Sequence, residues 1–350
     1  MVDIRDVAKH AGVSVSTVSN VLNGRINQMR QETLVRIEES IKTLQYHPNK
    51  LAQQLKTGHV KMLGILVPSI MNPNFSALVN NIESIAKEKY GYQVLLANTY
   101  RQDKQEKLFL NDLFSFGVKG VIVVSSSIEK KHFITAIKKG MVMVNYDGLT
   151  SEEDHRRKKI LIDSVSMDNF QAGKLAADYL LDQGCKNIIF ATIKGNITSR
   201  KNKILGFLDS LEKAGMNTKN RIVEGTAQFA YGDTELAELG KSLAIEITKN
   251  RKKLPDGIVA INDMLAIGLI SELVRLGIKI PQDISVIGID NMFLDTLFSP
   301  SLTSIAPPLL DMATLMVDRL VTTLNGTKIE PQEFLFQPNL IKRESVVSAN

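Results

Sequence analysis

The chain has 350 residues, 44% of them hydrophobic, and a formal net charge of +6 at pH 7. This size and apolar content are sufficient for two or three domains, each with its own core. The longest apolar runs, such as residues 118–124, are too short to cross a bilayer, and residues 1–6 lack the apolar stretch of a secretory signal. Cys185 is the only cysteine, which excludes an internal disulfide. Together these features predict a cytoplasmic protein.

The positive charge is concentrated near the amino end. Residues 1–61 contain nine Lys and Arg residues against five Asp and Glu residues, a local charge of +4 out of the total of +6. A local basic excess is expected of a surface that contacts nucleic acid, although a solvated basic face has the same composition.

Three short helices are predicted in residues 1–45. In the first, apolar residues recur at helical spacing until Gly12 breaks the pattern. Ser14 is a good N-cap for a second helix over residues 15–22, and residues 33–44 show a third amphipathic repeat. Two helices joined by a tight turn that contains glycine have the geometry of a helix-turn-helix.

The second helix presents short, mostly polar side chains on its outward face. These are Val15, Ser16, Thr17, Ser19, Asn20 and Asn23. Ser and Thr hydroxyls bond phosphate or base, and an Asn amide can bond the edge of adenine. The pattern favours a helix that reads DNA, while a helical hairpin that only packs on another part of the protein is the alternative.

From Lys61 onward, apolar runs rich in Val and Ile alternate with amphipathic helical stretches. The candidate strands are residues 62–67, 93–97, 120–125, 142–146, 160–163, 187–193, 221–225, 257–262 and 285–290. Near-continuous apolar strands separated by helices indicate parallel sheets that are covered on both faces. So many strands favour two sheets of about five strands each, divided near residues 155–162.

Several stretches carry motifs that are more specific than this pattern. The longest are Asp6-Val-Ala-Lys-His-Ala-Gly-Val-Ser-Val-Ser-Thr-Val-Ser-Asn-Val-Leu-Asn-Gly24 and Leu44-Gln-Tyr-His-Pro-Asn-Lys-Leu-Ala-Gln-Gln-Leu55. Shorter ones follow at residues 64–68, 72–73, 261–263 and 286–290. In this order, the motifs resemble the lactose repressor (LacI/GalR) family over essentially the whole chain.

The resemblance implies an all-α helix-turn-helix head followed by an α/β core like that of periplasmic binding proteins, with two doubly wound parallel-sheet subdomains. The implied boundaries are residues 1–47 for the head, 48–60 for the hinge helix and linker, and 61–350 for an effector-binding and dimerisation domain. Within this domain, the implied N-subdomain is residues 61–160 and 292–322, and the implied C-subdomain is residues 161–290 and 323–343.

The resemblance also assigns DNA contacts. It places base-reading positions at Val15, Ser16 and Asn20, and phosphate-holding positions at Thr17, Ser19 and Asn23. Many family members carry an arginine that reads guanine where this chain has Asn20, so we expect a different preferred base. The loop of residues 25–31, with Asn27 as its candidate contact, is one residue longer than in the lactose repressor, and Met29-Arg30 replaces the usual Val-Ser.

Residues 49–56 are predicted to form a hinge helix that is too short to be stable alone in water. Such a segment could fold on DNA and fray away from it, which makes it a plausible switch. The resemblance implies that two hinges pair in the minor groove, with Leu55 wedged between base pairs, Ala52 at the close approach and Lys56 on a phosphate. Without the resemblance, Leu55 is read as an ordinary linker contact.

Ligands of parallel α/β sheets bind beyond the carboxyl ends of the strands, and two facing subdomains create a cleft. The candidate residues at these ends are Ser69, Asn72, Phe75, Ser125, Asp147, Asn262 and Asp290. Carboxylates and amides bond hydroxyl groups, and an aromatic ring covers the apolar face of a sugar. The set therefore suits a polyhydroxylated ligand, although each residue alone could be a strand-end cap or a surface polar group.

The resemblance adds detail to this candidate set. Asn262 and Asp290 match family positions that bond sugar hydroxyls. Lys203 falls where many sugar-responsive members carry arginine, but a lysine does not give the same bidentate geometry. Ser69 replaces a common aspartate, and residues 226–231 imply an aromatic contact for which Phe229 is the candidate.

These observations predict a sequence-specific transcriptional regulator, and we favour a repressor of carbohydrate-utilisation genes that a sugar releases from DNA. Two heads and two hinges imply a homodimer on a near-palindromic operator. A nucleoside or a protein co-effector is the alternative to a sugar, and a ligand that tightens DNA binding is the alternative to release.

Other classes of protein fit the sequence less well. An enzyme is not expected, because the chain shows no P-loop, no Gly-x-Gly-x-x-Gly opening after a strand and no Gly-x-Ser-x-Gly elbow. No cofactor or metal is expected either. A solute-binding protein shares the cleft architecture, but that reading leaves residues 1–57 unexplained.

Overall fold

The computed structural model describes residues 2–27, 29–47, 60–125, 127–148, 160–195, 197–227, 233–249 and 254–347. It consists of two compact units, residues 1–60 and residues 61–350. Four residues predicted to contact DNA or effector, Ala52, Leu55, Lys56 and Phe229, lie outside the described residues. Within the described ranges, no helix is long and apolar enough to cross a membrane.

The amino-terminal unit contains three helices, α1 (Ile4–Ala11), α2 (Val15–Leu22) and α3 (Gln31–Thr43). Their apolar faces meet in a small core. Its buried members are Val7, Ala8, Ala11, Val18 and Ile37. The predicted helix-turn-helix, formed by α1 and α2, is therefore a packed element and not an isolated hairpin.

Local contacts set the ends of α1 and α2. Asp3 and Asp6 form a capping box, in which Asp3 Oδ1 accepts the amide of Asp6 at 3.2 Å and Asp6 Oδ2 accepts the amide of Asp3 at 2.9 Å. Gly12 ends α1 at a φ of 62°, in the left-handed region that favours glycine. Ser14 then caps α2 at once, so the turn between the two helices is short and well defined.

The larger unit alternates strands and helices. In chain order it contains β1 (Met62–Val67), α4 (Pro73–Tyr90), β2 (Gln93–Asn98), α5 (Asp103–Ser115), β3 (Gly120–Val124), α6 (Lys131–Lys138), β4 (Val142–Tyr146), β5 (Asp163–Met167), α7 (Asn169–Asp182), β6 (Ile188–Ile193), α8 (Thr198–Lys213), β7 (Ile222–Gly225), α9 (Asp233–Thr248), β8 (Gly257–Ala260), α10 (Asp263–Arg275), β9 (Ser285–Ile289), a 3-10 helix (Phe293–Thr296), β10 (Thr303–Ala306), α11 (Leu309–Leu324), β11 (Glu333–Phe336) and β12 (Asn339–Ile341).

These strands form two sheets of six. The first sheet has the order β11-β5-β4-β3-β1-β2, and all its pairs are parallel. The second has the order β12-β10-β9-β8-β6-β7 and is parallel except for β12, which runs antiparallel to β10. Helices α4 and α11 pack together against the first sheet, while α7 and α10 contact the second. The predicted pair of α/β subdomains is therefore present.

The chain passes between the two sheets three times. β5 of the first sheet leads into α7 on the second, β10 of the second leads into α11 on the first, and β11 of the first leads into β12 of the second. The first and third passages are bonded to each other. The amide of Asp168 donates to the Phe336 carbonyl oxygen at 2.8 Å, and Gln337 Nε2 donates to Asp168 Oδ2 at 3.3 Å.

The division between the two halves differs from the predicted one at three strands. β5 belongs to the first sheet, although residues 161–290 were assigned to the C-subdomain. β10 belongs to the second sheet despite its place within residues 292–322, and β11 belongs to the first despite its place within residues 323–343. These strands lack long apolar runs, and their partners are distant in sequence, so periodicity alone does not reveal them.

Polar anchoring explains the position of β5. The sequence predicted a strand over residues 160–163, but Ile160 and Leu161 are exposed and the strand begins at Asp163. The Arg319 guanidinium of α11 donates to both oxygens of the Asp163 carboxylate, at 2.9 and 2.7 Å. This bidentate pair sets the start of a strand whose serines are buried.

The helix pair α7–α8 makes a close approach at two glycines. A Cβ on Gly206 of α8 would lie 1.9 Å from the carbonyl oxygen of Phe170, and a Cβ on Gly173 of α7 would lie 1.8 Å from that of Lys203. Neither position leaves room for a side chain, because the obstructing atoms belong to the facing backbone. This contact sets the distance between α8 and α7.

We expect Gly206→Ala to lower the free energy of unfolding by about 1–3 kcal/mol, because the added methyl group forces two helix backbones apart. Urea denaturation measures the change. Leu205→Ala is the control, since Leu205 is the neighbouring residue on α8 and is 53% exposed. Equal stability of the two variants would contradict the close approach.

Candidate functional site

The outward face of α2 carries the side chains predicted to read DNA. Val15, Ser16, Asn20 and Asn23 are exposed, and Thr17 and Ser19 are half-buried. Val18 on the opposite face is completely buried in the head core. The helix is therefore held by one face and presents the other to solvent, as a recognition helix requires.

Hydrogen bonds among hydroxyl groups order the start of α2. Ser14 Oγ lies 2.7 Å from Ser16 Oγ and 2.8 Å from Thr17 Oγ1, and it accepts the amide of Thr17 at 3.2 Å. At the other end, Asn23 Nδ2 donates to the Ser19 carbonyl oxygen at 2.7 Å. A phosphate contact by Asn23 therefore has to replace or share this bond.

The loop between α2 and α3 shows the effect of the departure at Met29-Arg30. Arg30 occupies the N-cap position of α3 and makes no side-chain capping bond there. Met29 packs against the head core, which was not foreseen from the sequence. Asn27 is exposed, as are Arg25 and Arg30, so the loop adds a basic, solvent-facing edge to the head.

In the larger unit, a cavity of about 130 Å³ lies at the carboxyl ends of strands from both sheets. Six predicted effector residues line it: Asn72, Phe75, Asp147, Lys203, Asn262 and Asp290. Other polar lining residues were not predicted: Asn74, Arg101, Tyr146, Asn169, Ser199 and Arg200. Asn74, Arg101 and Asn169 stand just beyond strand ends, so the strand-end rule could have found them.

Ser69 and Ser125 do not line this cavity, in contrast to the prediction. Both are buried, and each bonds within its own turn. Ser69 Oγ accepts the amide of Met71 at 3.1 Å, and Ser125 Oγ donates to the Ser127 carbonyl oxygen at 2.9 Å. A short hydroxyl side chain at a strand end satisfies the local backbone before it can reach a ligand.

Two of the cavity amides also cap helices. Asn72 Oδ1 accepts the amides of Asn74 and Phe75 at 3.0 and 3.2 Å at the start of α4. Asn262 Oδ1 accepts the amide of Leu265 at 3.0 Å at the start of α10. The carbonyl oxygens of both amides are thus engaged in helix caps at the edge of the cavity.

The two cavity carboxylates come from opposite halves and are held by amides. Asn169 Nδ2 donates to Asp147 Oδ1 at 3.0 Å, and Asn74 Nδ2 donates to Asp290 Oδ1 at 3.4 Å. The second contact joins the first half to the second across the cavity. Burial, followed by the charges of Asp147 and Asp290, raises the pKa of Tyr146, so its hydroxyl keeps its proton and can serve as a donor.

Cationic side chains enter the cavity from both halves. Arg101 follows β2 at a φ of 51°, and Arg200 and Lys203 project from the first turns of α8. Arg200 Nη1 donates to the Ile193 carbonyl oxygen at 3.2 Å, which ties it to the end of β6. The cavity thus offers donors and acceptors around a small space partly bounded by the Phe75 ring.

One side-chain group in the described part of the chain has the composition of a cation site. Oxygen and nitrogen atoms of Asp103, Glu106 and His132 lie within 4.8 Å of one another. The Lys130 ammonium already lies among them, 2.9 Å from Asp103 and 2.8 Å from Glu106. Burial lowers the pKa of Lys130, but its bonds to Glu106 and Asp103 outweigh that and raise it, so a lysine ammonium group already takes the place of a bound cation.

We expect Asn262→Ala to lower the free energy of unfolding by about 1 kcal/mol through loss of the α10 cap, whereas Asn262→Ser should keep most of it. Thermal unfolding of both variants separates this capping role from any role in binding. If Asn262→Ala is as stable as the wild type, the Asn262 side chain does not cap α10 in solution.

Comparison with known proteins bears on both parts of the chain. Residues 3–49 match the family described as bacterial regulatory proteins, lacI family, and residues 177–346 match a periplasmic binding protein-like domain. The chain is 30% identical over 349 residues to the HTH-type transcriptional repressor PurR of Yersinia enterocolitica, covering 99% of this chain and 97% of that protein. It is 29% identical over 347 residues to the HTH-type transcriptional regulator RegA of Clostridium saccharobutylicum, covering 98% and 99%.

A solved structure agrees with these relatives. The crystal structure of a LacI family transcriptional regulator from Enterococcus faecium with bound ribose superposes with a TM-score of 0.70 and 26% identity, covering 83% of this chain and all of that one. The predicted family and fold class are therefore confirmed. The chain belongs to the LacI family and is a DNA-binding transcriptional repressor with a ligand-binding domain.

Proposed function

We propose that the outward face of α2 reads an operator sequence. Val15, Ser16 and Asn20 contact bases, while Thr17, Ser19 and Asn23 hold phosphates. The support is the exposure of this face together with the burial of Val18 behind it. Asn27 of the basic loop adds a backbone contact, and Ala52, Leu55 and Lys56 form the minor-groove hinge.

The regulator acts as a homodimer on a near-palindromic operator, because two heads must be spaced to reach two half-sites. Support comes from large apolar side chains that the described part of the larger unit leaves in solvent. They include Leu96, Tyr100, Leu108, Val274, Phe293 and Leu297. β2, which carries Leu96, is also an edge strand of the first sheet. Burial of such side chains against a second copy would remove apolar surface from water.

The effector is a small sugar, and the repressor controls carbohydrate-utilisation genes. The observation that carries this proposal is the cavity itself, in which two carboxylates and several amides surround a small space beside the Phe75 ring. Its volume of about 130 Å³ suits one small ring. The similar regulator from Enterococcus faecium holds ribose, which supports the same ligand class here.

A nucleobase or nucleoside is the second candidate effector. It is favoured by the resemblance to PurR repressors and by the combination of the Phe75 ring with amide groups, which suits a flat heterocycle with polar edges. Both candidates use the same residues, so a binding experiment separates them more directly than the geometry does.

Coupling between the cavity and DNA follows from the position of the ligand between two halves. A ligand bonded to Asp147 on one side and Asp290 on the other favours one angle between the halves, and this angle sets the spacing of the two hinges. A coupling of about 1–3 kcal/mol is typical of such systems. We favour release from the operator on sugar binding.

We expect Asn20→Ala to weaken binding to a selected operator by about 1–3 kcal/mol and to relax the base preference at one position, because a base-edge contact is lost. Fluorescence anisotropy against operator and random duplexes measures both effects. Val35→Ala on α3, also exposed, is the control. Equal losses on operator and random DNA would show that Asn20 contacts only phosphate.

A thermal-shift screen with neutral sugars, nucleosides and nucleobases tests the effector. A sugar present at a hundredfold excess over its Kd should stabilise the protein by about 2.7 kcal/mol. Asp147→Asn and Asp290→Asn should lose this shift and keep DNA binding in the absence of ligand, whereas the control Ser69→Ala should keep both. A shift with nucleobases alone would favour the second candidate, and a wild-type sugar shift retained by Asp290→Asn would remove Asp290 from the site.

A further inference from the structure

A pair of buried carboxyl groups lies directly behind the second-sheet wall of the cavity. Asp263 is the first residue of α10 and follows the cavity residue Asn262, while Asp295 lies in the 3-10 helix shortly after the cavity residue Asp290. Both Asp263 and Asp295 are completely shielded from solvent. Their carboxyl groups are hydrogen-bonding neighbours, although two ionised carboxylates would present only acceptors to each other.

The donors around this pair are distributed unequally. Ser304 Oγ donates to Asp263 Oδ1 at 2.7 Å, and the amide of Met292 donates to Asp263 Oδ2 at 3.1 Å. Apart from the Asp263 carboxyl group, no group among the residues that the structure describes makes a hydrogen bond to either oxygen of Asp295. Burying an ionised carboxylate without a donor is very unfavourable, whereas a protonated carboxyl group can donate its O–H to a neighbouring carboxylate.

The charges facing the pair come from two further elements. Arg343, which follows β12, places Nη1 3.7 Å from Asp295 Oδ2, and its guanidinium also donates to Asn291 Oδ1 and the Leu302 carbonyl oxygen, both at 2.6 Å. Asp290, at the end of β9, adds a negative charge that raises the pKa of Asp295. Repulsion between buried carboxylate charges favours the form of the pair that keeps one proton.

We propose that Asp263 and Asp295 share one proton at neutral pH, and that this proton joins the two segments that carry Asn262 and Asp290. The hydrogen bond made by this proton ties the start of α10 to the 3-10 helix. Neither residue lines the cavity, and both act as positioning residues for its wall. The link to the effector rests on the proposed function, but the sharing of the proton does not.

The pair makes the stability of the folded protein fall as pH rises, whereas a salt-bridged aspartate makes it rise. Burial and then the neighbouring Asp295 raise the pKa of Asp263, and burial raises the pKa of Asp295 to about 6. An aspartate in the unfolded chain loses its proton near pH 3.9, approximately, so folding takes up protons above that pH. The stability contributed by the pair is complete below that value and is lost as pH rises through the higher pKa values of the folded pair.

Asp295→Asn tests this arrangement. The introduced amide donates to Asp263 without a titrating proton, so the variant should keep the link and lose its pH dependence. We expect the difference in Tm between Asp295→Asn and the wild type to grow by about 5 °C from pH 5 to pH 8. The carbonyl stretch of a protonated carboxyl group should be present in the infrared spectrum of the wild type at pH 7 and absent from the variant.

Asp263→Asn tests the two acceptor positions of the Asp263 carboxyl group. An amide there would turn its NH₂ group toward Ser304 or Met292, which are donors, so this variant should be clearly less stable than Asp295→Asn at pH 7. Asp112→Asn, at an exposed position on α5, is the control and should leave the infrared signal intact. A wild-type spectrum without the signal, or a Tm difference that does not change with pH, would overturn the proposal. Neither result depends on whether a sugar binds.

Discussion

The three passages of the chain between the two sheets are the constraint on which the ligand-binding unit depends. They occur where the carboxyl ends of both sets of strands meet, so residues of the passages themselves, such as Asn169 and Pro307, line the cavity. Any change in the angle between the halves has to be absorbed by these short connections. The bonds between Asp168 and the third passage link two of these connections to each other. The same geometry that creates the cavity therefore determines how a ligand in it can act on the rest of the protein.

Residues at the amino ends of helices provide several of the polar side chains that line the cavity. Asn72 and Asn262 each cap a helix through the amide oxygen, and both residues also line the cavity. Asp263, one residue further along α10, continues this arrangement behind the wall. Local helix stability and ligand recognition are thus combined in the same side chains. A substitution that removes such a side chain has two effects, which have to be separated by variants that keep the cap.

Most of the fold could be predicted because eight of the first nine strands and the head helices follow local periodicity. The predicted bounds of β5 were wrong, because its buried serines and the Arg319–Asp163 ion pair give no apolar pattern. β10, β11 and β12 were missed because they are short and are stabilised by pairing with strands that are distant in sequence. In the cavity, the strand-end rule found Asp147 and Asp290, which point across the sheet edge. It failed at Ser69 and Ser125, where a short side chain bonds its own turn. It missed Arg200, which lies in the first turn of α8 and reaches back to the end of β6 through the Ile193 carbonyl oxygen.

The alternation of the chain between the sheets also has a consequence for the order of synthesis. β11, which completes one edge of the first sheet, and β12, which completes an edge of the second, follow the other strands of both sheets in the chain. Neither half can reach its final form before residues 333–341 have been synthesised, even though the sequence of the first four strands is finished early. The nascent protein therefore holds two incomplete sheet edges until these two strands have left the ribosome.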